Sequence, residues 1–371
     1  MLAVMFALGV VFLVGGAELL VRGASRLAVA FGMSPLVIGL TIVAFGTSAP
    51  ELAVSVQGAV SGSAGVALGN VVGSNIANIL LILGLAALIV PLTVDQQLIR
   101  WDVPLLIAAS AVAFAMGVFD GGLGRVDGSL LFVAGLAYIA FAVRQSRRET
   151  KAVAAEYQEA LEHTEGLQPG EPAPRPAVNV LFVLAGLGLL VVGARWLVDA
   201  AIEVAKWFGL SELVIGLTVV AVGTSLPEIA TSITAALRGE RDIAVGNAIG
   251  SNIMNLVLVL GPTAVLAPAG VPVPASALAF DMPVMIAVAV GALPIFFSGH
   301  RIARWEGVLF LAMYAAYLTY VALSAQGSPL AVDFKVAMLW FVLPLVGVTV
   351  LVFAWREWQS LRASAPRSDA G

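Results

Sequence analysis

The chain contains one long sequence twice, and a duplication of this kind decides the architecture before any other property does. Residues 34–84 align with residues 211–261 without a gap at a constant offset of 177, and 29 of the 51 positions are identical. The matched core motifs, GLTIVAFGTSAPE and GLTVVAVGTSLPE, end at Glu51 and Glu228. The second matched blocks, GNVVGSNIANILLILG and GNAIGSNIMNLVLVLG, close the aligned stretches. Shared hydrophobicity alone cannot produce this identity, so the sequence predicts two halves of similar structure.

The composition places this duplicated chain in a membrane. Of its 371 residues, 60% are apolar and 11% are charged, whereas a soluble domain is about half apolar and about a quarter charged. Apolar runs of roughly 20 residues, long enough to cross a bilayer as helices, recur along the sequence, and eleven of them can be counted. The net charge of -4 carries no signature of nucleic-acid binding, and the absence of cysteine excludes disulfides and thiolate metal sites. The predicted fold class is an all-α polytopic membrane protein.

The predicted spans form two sets of five helices and one extra C-terminal helix. They lie near residues 2–20, 36–60, 66–90, 103–118 and 129–143, then near 178–198, 213–237, 243–266, 277–297 and 307–323, and finally near 336–355. The predicted domains are a first five-helix repeat over 1–144, a polar cytoplasmic loop over 145–176, a second repeat over 177–325, and the eleventh helix with its tail over 326–371. Within the loop, a short helix is expected at Ala152–Leu161.

Because five is an odd number, the second repeat must enter the membrane from the opposite side to the first. The charges agree, since Arg22 and Arg26 follow the first span whereas Asp199 and Glu203 occupy the aligned positions after the sixth. With the N-terminus outside and the C-terminus in the cytoplasm, 15 of the 19 Lys and Arg residues lie on the cytoplasmic side, as the positive-inside rule requires. Inverted repeats are typical of secondary transporters, whose substrate site lies between the halves near the bilayer midplane.

Apart from Glu51 and Glu228, the sequence keeps carboxylates out of the interiors of its predicted spans. An ionised carboxylate at the bilayer centre costs at least ~2.5 kcal/mol, which makes both residues candidates for function. Each follows a proline, Pro50 or Pro227, and a proline cannot make the helical hydrogen bond to the residue four positions earlier. The helix should therefore open beside each acid. Hydroxyl groups flank these positions at Thr47, Ser48, Thr224 and Ser225. With the freed carbonyls and the carboxylates, they form a set of hard oxygen donors that suits Na⁺ and Ca²⁺.

The second matched blocks carry further polar side chains at helical spacing. Ser74 and Asn78, and likewise Ser251 and Asn255, are four residues apart and so share one helix face, from which their oxygens can complete a coordination shell. Glycines at a similar spacing, Gly69, Gly73, Gly246 and Gly250, predict close helix packing. Outside these blocks, Glu18 and Arg22 predict an exposed ion pair, and Asp102 and Asp281 beside prolines predict helix caps.

The GTSAPE and GSNIAN motifs and their copies resemble those of the sodium/calcium exchangers of the cation/Ca²⁺ exchanger superfamily, in its prokaryotic branch. The resemblance covers about 300 residues and implies ten helices in two inverted halves, with cation sites between the second, third, seventh and eighth. The implied ligands are Glu51, Glu228, Asn78, Asn255, Ser48, Ser225, Thr47, Thr224, Ser74 and Ser251, with the backbone oxygens of Ala44 and Ala221. Some relatives carry aspartate where this chain has Asn255, so the asparagine argues against K⁺ cotransport. In the family, the first and sixth helices slide as a pair to switch access.

The function expected from these features is secondary active transport, not enzymatic catalysis. Na⁺ and Ca²⁺ are the expected transported ions and partners, beside the lipid bilayer, and no cofactor or obligate protein partner is expected. Two carboxylates neutralise one Ca²⁺ whereas three Na⁺ would leave one positive charge, so exchange should be electrogenic. The expected location is the plasma (inner) membrane of a prokaryotic cell.

Three other functions stay open at this stage. A Ca²⁺/H⁺ antiporter, or one for another divalent cation, would use the same site with protonation of the two glutamates as the counter-reaction. A membrane-embedded enzyme is disfavoured, because the two acids have closely matched surroundings that would not separate an acid from a base. A passive channel is disfavoured by the inverted repeat, which predicts alternating access.

Overall fold

The structure is a computed structural model that describes residues 2–61, 64–161, 176–207 and 221–338, together with single positions between 344 and 359. In this part of the chain, eight helices are long and apolar enough to cross a membrane, or nine when two helices joined at a bend count as one span. The chain is therefore a multi-pass, all-α membrane protein, as the sequence predicts.

The helices of the first half match the predicted spans in number and order. They are α1 (Leu2–Phe31), α2a (Pro35–Thr47), α2b (Ala49–Val60), α3 (Gly65–Ile89), α4 (Leu98–Asp120) and α5 (Arg125–Leu161). One difference concerns the loop between the halves. The sequence predicts a short separate helix at Ala152–Leu161, but α5 runs without interruption to Leu161.

The second half repeats this order. Its helices are α6 (Pro176–Trp207), α7a (Ala221–Thr224), α7b (Leu226–Leu237), α8 (Arg241–Leu266), α9 (Ala277–Phe297) and α10 (Arg304–Ala325), followed by α11 (Leu330–Ala337). The start of the predicted seventh span and most of the predicted eleventh span lie outside the described residues. Among the eight long apolar helices, α8 is the most enclosed, since its most apolar stretch is completely buried. α3 is the next most enclosed.

Two short antiparallel ribbons show how the halves are related. β1 (Leu92–Thr93) pairs with β4 (Arg301–Ile302), and β2 (Gly122–Leu123) pairs with β3 (Val271–Pro272). The first ribbon precedes α4 and the second follows it, so the ribbons lie at opposite ends of the bundle. The turns after α3 and α8, which are equivalent in the repeat, contribute β1 and β3. Equivalent turns at opposite ends are what an inverted repeat produces.

α1 and α6, which have 30 and 32 residues, pack against each other along their lengths. Both exceed the roughly 20 residues that span a bilayer. They approach closely at glycines, since a Cβ atom on Gly16 would lie 2.8 Å from the carbonyl oxygen of Gly186. Glycine contacts of this kind bring two helix backbones together inside a membrane. α1 and α6 therefore form one packed pair.

The exposed pair predicted at the end of the first span is present, with 3.0 Å between Glu18 Oε1 and Arg22 Nε. Glu18 also binds Arg238, in the turn between α7b and α8, and Ser25 Oγ donates to Glu240 Oε1 at 2.6 Å. These contacts connect α1 to the second half of the chain.

The prediction that Asp102 and Asp281 cap helices is wrong. Neither side chain makes a cap hydrogen bond, because in both places a π-helical turn already leads into the helix. Asp102 instead accepts hydrogen bonds from the Tyr138 hydroxyl at 2.9 Å and from Gln97 at 3.2 Å. Asp281 accepts one from Tyr317 at 3.2 Å. These aspartate–tyrosine pairs connect α4 to α5 and α9 to α10.

Candidate cation-binding site

The second span of each half is broken immediately before its glutamate. α2a and α2b meet at Ser48 with a bend of 43°, and Ser225 occupies the same position between α7a and α7b with the same local backbone conformation. A proline follows in the first turn of α2b and of α7b, where its missing N–H costs nothing. Glu51 and Glu228 therefore lie at helix N-termini, whose positive dipole ends favour negative charge.

The two glutamates are enclosed, with 0% of Glu51 and 1% of Glu228 exposed. Both carboxylate oxygens of Glu51 and the Oε2 atom of Glu228 are buried without a hydrogen-bond partner. The remaining Glu228 oxygen accepts a hydrogen bond from Ser48 Oγ at 3.4 Å, a contact between the two halves. In the described part of the chain, neither carboxylate forms a salt bridge with a Lys or Arg side chain. A structural role in which a basic side chain neutralises either acid finds no support there.

A cluster of polar groups connects α2a to α8 beside the glutamates. Thr47 Oγ1 donates to the carbonyl oxygen of Val43 at 3.1 Å and lies 3.1 Å from Asn247 Oδ1 and 3.5 Å from Ser251 Oγ. Ser251 Oγ in turn donates to the carbonyl oxygen of Ala44 at 3.5 Å. Three of the expected ligands, Thr47, Ser251 and the Ala44 carbonyl, are thus in mutual contact.

Four asparagines form a symmetric group where α3 and α8 meet, which we call the asparagine quartet (Asn75, Asn78, Asn252 and Asn255). Asn75 Nδ2 donates to the backbone carbonyl of Asn252 at 3.2 Å, and Asn252 Nδ2 donates to that of Asn75 at 3.1 Å. Asn252 Oδ1 accepts a hydrogen bond from Asn78 Nδ2 at 2.9 Å, and Asn75 Oδ1 accepts one from Asn255 Nδ2 at 3.1 Å. With their nitrogens bound, Asn78 and Asn255 leave their Oδ1 atoms buried and free.

The site combines two carboxylates with neutral oxygens. No group of three His, Cys, Asp or Glu side chains able to hold a metal occurs among the described residues. A cluster of carboxylate, hydroxyl and amide oxygens is the ligand set of hard cations such as Na⁺ and Ca²⁺, whereas transition metals prefer imidazole or thiolate.

Comparison with known proteins identifies the family of the chain. The model of the sodium/calcium exchanger protein family matches residues 1–145 and 178–323, and so covers both repeats. The chain belongs to the sodium/calcium exchanger family. Inner membrane protein YrbG of Escherichia coli is 36% identical over 330 residues, covering 88% of this chain and 97% of YrbG. Sodium/calcium exchanger MaX1 of Methanosarcina acetivorans is 36% identical over 342 residues, covering 84% and 95%.

Another relative is named for exchange of Ca²⁺ with protons. The Ca²⁺/H⁺ antiporter ChaA of Bacillus subtilis is 30% identical over 329 residues, covering 84% of this chain and 90% of ChaA. Among solved structures, the sodium-calcium exchanger NCX_Mj superimposes with a TM-score of 0.71 at 30% identity, covering 86% of this chain and 99% of that one. The expected family and exchanger fold are confirmed.

Three more of the expected ligands lie on α3 and α7a. Ser74 is buried on α3, one turn before Asn78. Thr224 ends α7a and is half-buried. Ala221 begins α7a, and its side chain lies outside the described part of the chain. For these three, as for the other expected ligands, the ligand role stays a prediction.

Sequence reasoning missed Asn75 and Asn252, and also a second pair of asparagines behind the glutamates. Asn70 Nδ2 donates to the backbone carbonyl of Glu51 at 3.2 Å and to Ser55 Oγ at 3.1 Å. Its repeat mate Asn247 donates to the backbone carbonyl of Glu228 at 3.4 Å and to Ser232 Oγ at 2.9 Å. The available signal was the identity of all four asparagines between the two GN…GSN blocks.

The predicted close packing at glycines is confirmed on α8. A Cβ atom on Gly250 would lie 2.6 Å from the Cα atom of Leu40, and one on Gly246 would lie 2.8 Å from the carbonyl oxygen of Leu36. Absence of side chains at these two positions lets α2a approach α8 closely enough for Thr47 to reach Ser251. Leu213 and Leu217, which correspond to Leu36 and Leu40 in the repeat, lie outside the described residues, so close packing at Gly69 and Gly73 stays a prediction.

Proposed function

We propose that this exchanger moves Ca²⁺ across the membrane in exchange for Na⁺, binding both ions at the site around Glu51 and Glu228. One observation carries the proposal. Among the residues that the structure describes, seven buried side-chain atoms have no hydrogen-bond partner, all seven are oxygens, and both halves contribute them. A buried polar atom without a partner costs about 1–3 kcal/mol, and carboxylate oxygens can only accept. A cation bound between the two carboxylates would satisfy several of these oxygens together.

The charge of the site supports Ca²⁺ and Na⁺ as alternative cargoes. Two carboxylates balance one Ca²⁺, while three Na⁺ at the same site carry one charge more. The amides of Asn78 and Asn255 add oxygens without adding charge, which supports exchange independent of K⁺. Transport that replaces one Ca²⁺ by three Na⁺ moves net charge and responds to membrane potential.

The arrangement of helices supports alternating access. The site lies where elements of both inverted halves meet, as in other transporters built from inverted repeats. α1 and α6 pack against each other and have more turns than a bilayer requires. Movement of this pair along the remaining helices can expose the site to one side at a time without separating its ligands. We place the N-terminus outside and the C-terminus in the cytoplasm of a prokaryotic cell, on the distribution of basic residues.

The test is radiolabelled Ca²⁺ uptake into proteoliposomes loaded with Na⁺ and diluted into Na⁺-free medium. Wild-type protein should accumulate Ca²⁺ only with internal Na⁺, and Glu51→Gln and Glu228→Gln should each abolish uptake. Glu203→Gln is the matched control, because it neutralises an exposed glutamate outside the site and should transport normally. Normal uptake by either site variant would disprove the site assignment.

Proton coupling is the second candidate, favoured by the free carboxylate oxygens of both glutamates, which could accept protons, and by the name of the relative ChaA. The same vesicle assay distinguishes Na⁺ coupling from H⁺ coupling. Uptake driven equally by an acid interior without Na⁺ would establish Ca²⁺/H⁺ exchange instead.

A further inference from the structure

One of the seven free oxygens belongs to a residue outside the expected ligand set. Thr231 lies on α7b, is 0% exposed, and has a hydroxyl without a hydrogen-bond partner. The other buried threonines of the described chain, Thr41, Thr47 and Thr263, each donate to the carbonyl four residues earlier, at 2.5, 3.1 and 2.6 Å. This bond is the usual way for a threonine to satisfy its hydroxyl within a membrane helix. Thr231 leaves it unmade.

Thr231 also interrupts the symmetry of the site. Its repeat mate is Val54, which has no oxygen and is 40% exposed on α2b. The residues that follow, Ser55 and Ser232, keep the symmetry, because each accepts a hydrogen bond from an asparagine behind the glutamate. The second half therefore carries one buried oxygen that the first half lacks.

The position of Thr231 relates it to Glu228. Side chains three residues apart share a helix face, and three residues rise about 4.5 Å along the axis. The Thr231 hydroxyl thus lies one turn beyond the carboxylate, toward the end of α7b at Leu237. α7b packs there against α1 and against the part of α3 that begins at Asn78. A cation travelling between Glu228 and this end of the bundle would meet the hydroxyl next to a single carboxylate.

We propose that Thr231 is an additional Na⁺ ligand, used on the route between Glu228 and the face of the membrane at which α7b ends. The inference rests on the proposed exchange function. One carboxylate with one neutral oxygen carries a single negative charge, which matches Na⁺ better than Ca²⁺. Because Val54 offers no oxygen on the opposite route, Na⁺ binds more tightly from the α7b face, cytoplasmic in the proposed topology, than from the other.

The experiment compares Thr231→Val, which copies the shape of threonine and the identity of Val54, with Thr231→Ser, which keeps the hydroxyl. Na⁺-dependent Ca²⁺ transport is measured in right-side-out and inside-out membrane vesicles while Na⁺ is varied on one face. In Thr231→Val, the half-saturating Na⁺ concentration should rise about fivefold at the α7b face, the loss expected for one neutral oxygen contact. It should stay unchanged at the other face, half-saturating Ca²⁺ should stay unchanged at both, and Thr231→Ser should resemble wild type.

Three results would overturn the proposal: no change at either face, equal changes at both faces, or the same loss in Thr231→Ser, which would trace the effect to packing. A wild-type protein that transports Ca²⁺ without Na⁺ would instead disprove the proposed function. Na⁺-dependent thermal stabilisation of the purified proteins provides a second measurement. Stabilisation by Na⁺ should be weaker in Thr231→Val than in wild type, and equal stabilisation would also overturn the proposal.

Discussion

Replacement of Asn252 by alanine tests whether the asparagine quartet orients the oxygens of the site. The Asn252 side chain donates to the backbone carbonyl of Asn75 at 3.1 Å and accepts from Asn78 Nδ2 at 2.9 Å. Both partners are buried. The substitution therefore leaves one carbonyl oxygen and one amide nitrogen unsatisfied in the centre of the protein.

The size of the effect follows from these two bonds. Each buried partner left unsatisfied costs about 1–3 kcal/mol, so the two together should lower stability by about 2–6 kcal/mol. Most of that range lies below the roughly 5–15 kcal/mol typical of a folded protein, so the variant should still fold. The functional effect has a separate cause. Without its partner, the Asn78 amide can rotate and turn its nitrogen toward the cation, which replaces an oxygen ligand by a donor. We expect at least a ~10-fold rise in half-saturating Ca²⁺.

Two measurements check this prediction: thermal unfolding of the purified variant in detergent, with and without Ca²⁺, and Ca²⁺ uptake as a function of Ca²⁺ concentration. Asn75→Ala should behave in the same way, because Asn75 makes the equivalent contacts with Asn252 and Asn255. Ser110→Ala is the control, since Ser110 is buried but bonds only the Leu106 carbonyl of its own helix, at 2.8 Å. Unchanged unfolding and unchanged Ca²⁺ dependence in Asn252→Ala would refute the orienting role.

Three further predictions concern packing and the scaffold. Gly250→Ala places a Cβ atom 2.6 Å from Leu40 Cα, so it should lower stability by about 1–3 kcal/mol and reduce uptake, whereas Gly188→Ala, with nothing within 4 Å, should unfold no earlier than wild type. Tyr138→Phe removes one buried hydrogen bond and should lower stability by about 1 kcal/mol without changing the Na⁺ dependence of uptake; an altered Na⁺ dependence would contradict its scaffold role. Glu18→Gln affects partly exposed ion pairs, so thermal unfolding at physiological salt should report a loss of about 1 kcal/mol or less, and a larger loss would contradict that estimate.

Sequence alone was sufficient for the repeat, the spans that the structure describes and the burial of the two central acids, because each has a local signal. Apolar runs reveal membrane helices, and a glutamate after a proline in the middle of such a run has few structural explanations. The break at Ser48 follows from Pro50 in the same way. Hydroxyls beside the break were identified because they adjoin the acid in the sequence.

What sequence reasoning missed depends on contacts between distant residues. Asn75 and Asn252 are 177 positions apart, and nothing near either residue predicts that each binds the backbone of the other. Their identity in the two blocks was visible, but it did not distinguish a ligand from a residue that positions one. Asp102 was assigned to a cap because the residue that binds it, Tyr138, lies on the next helix.

The symmetry of the contacts explains why the expected ligands and the residues that position them both recur in the two halves. A residue can contact its own repeat mate only where the axis relating the halves passes between them, and Asn75 and Asn252 meet that condition. The quartet therefore marks the axis, and the oxygens that it orients are presented equally toward both faces of the membrane. In the exchange cycle that we propose, one set of ligands can then serve both sides, with the movement in helices such as α1 and α6. In that cycle, differences between the faces come from residues that break the symmetry, and the proposed role of Thr231, whose repeat mate is Val54, would make Na⁺ binding differ between the two faces.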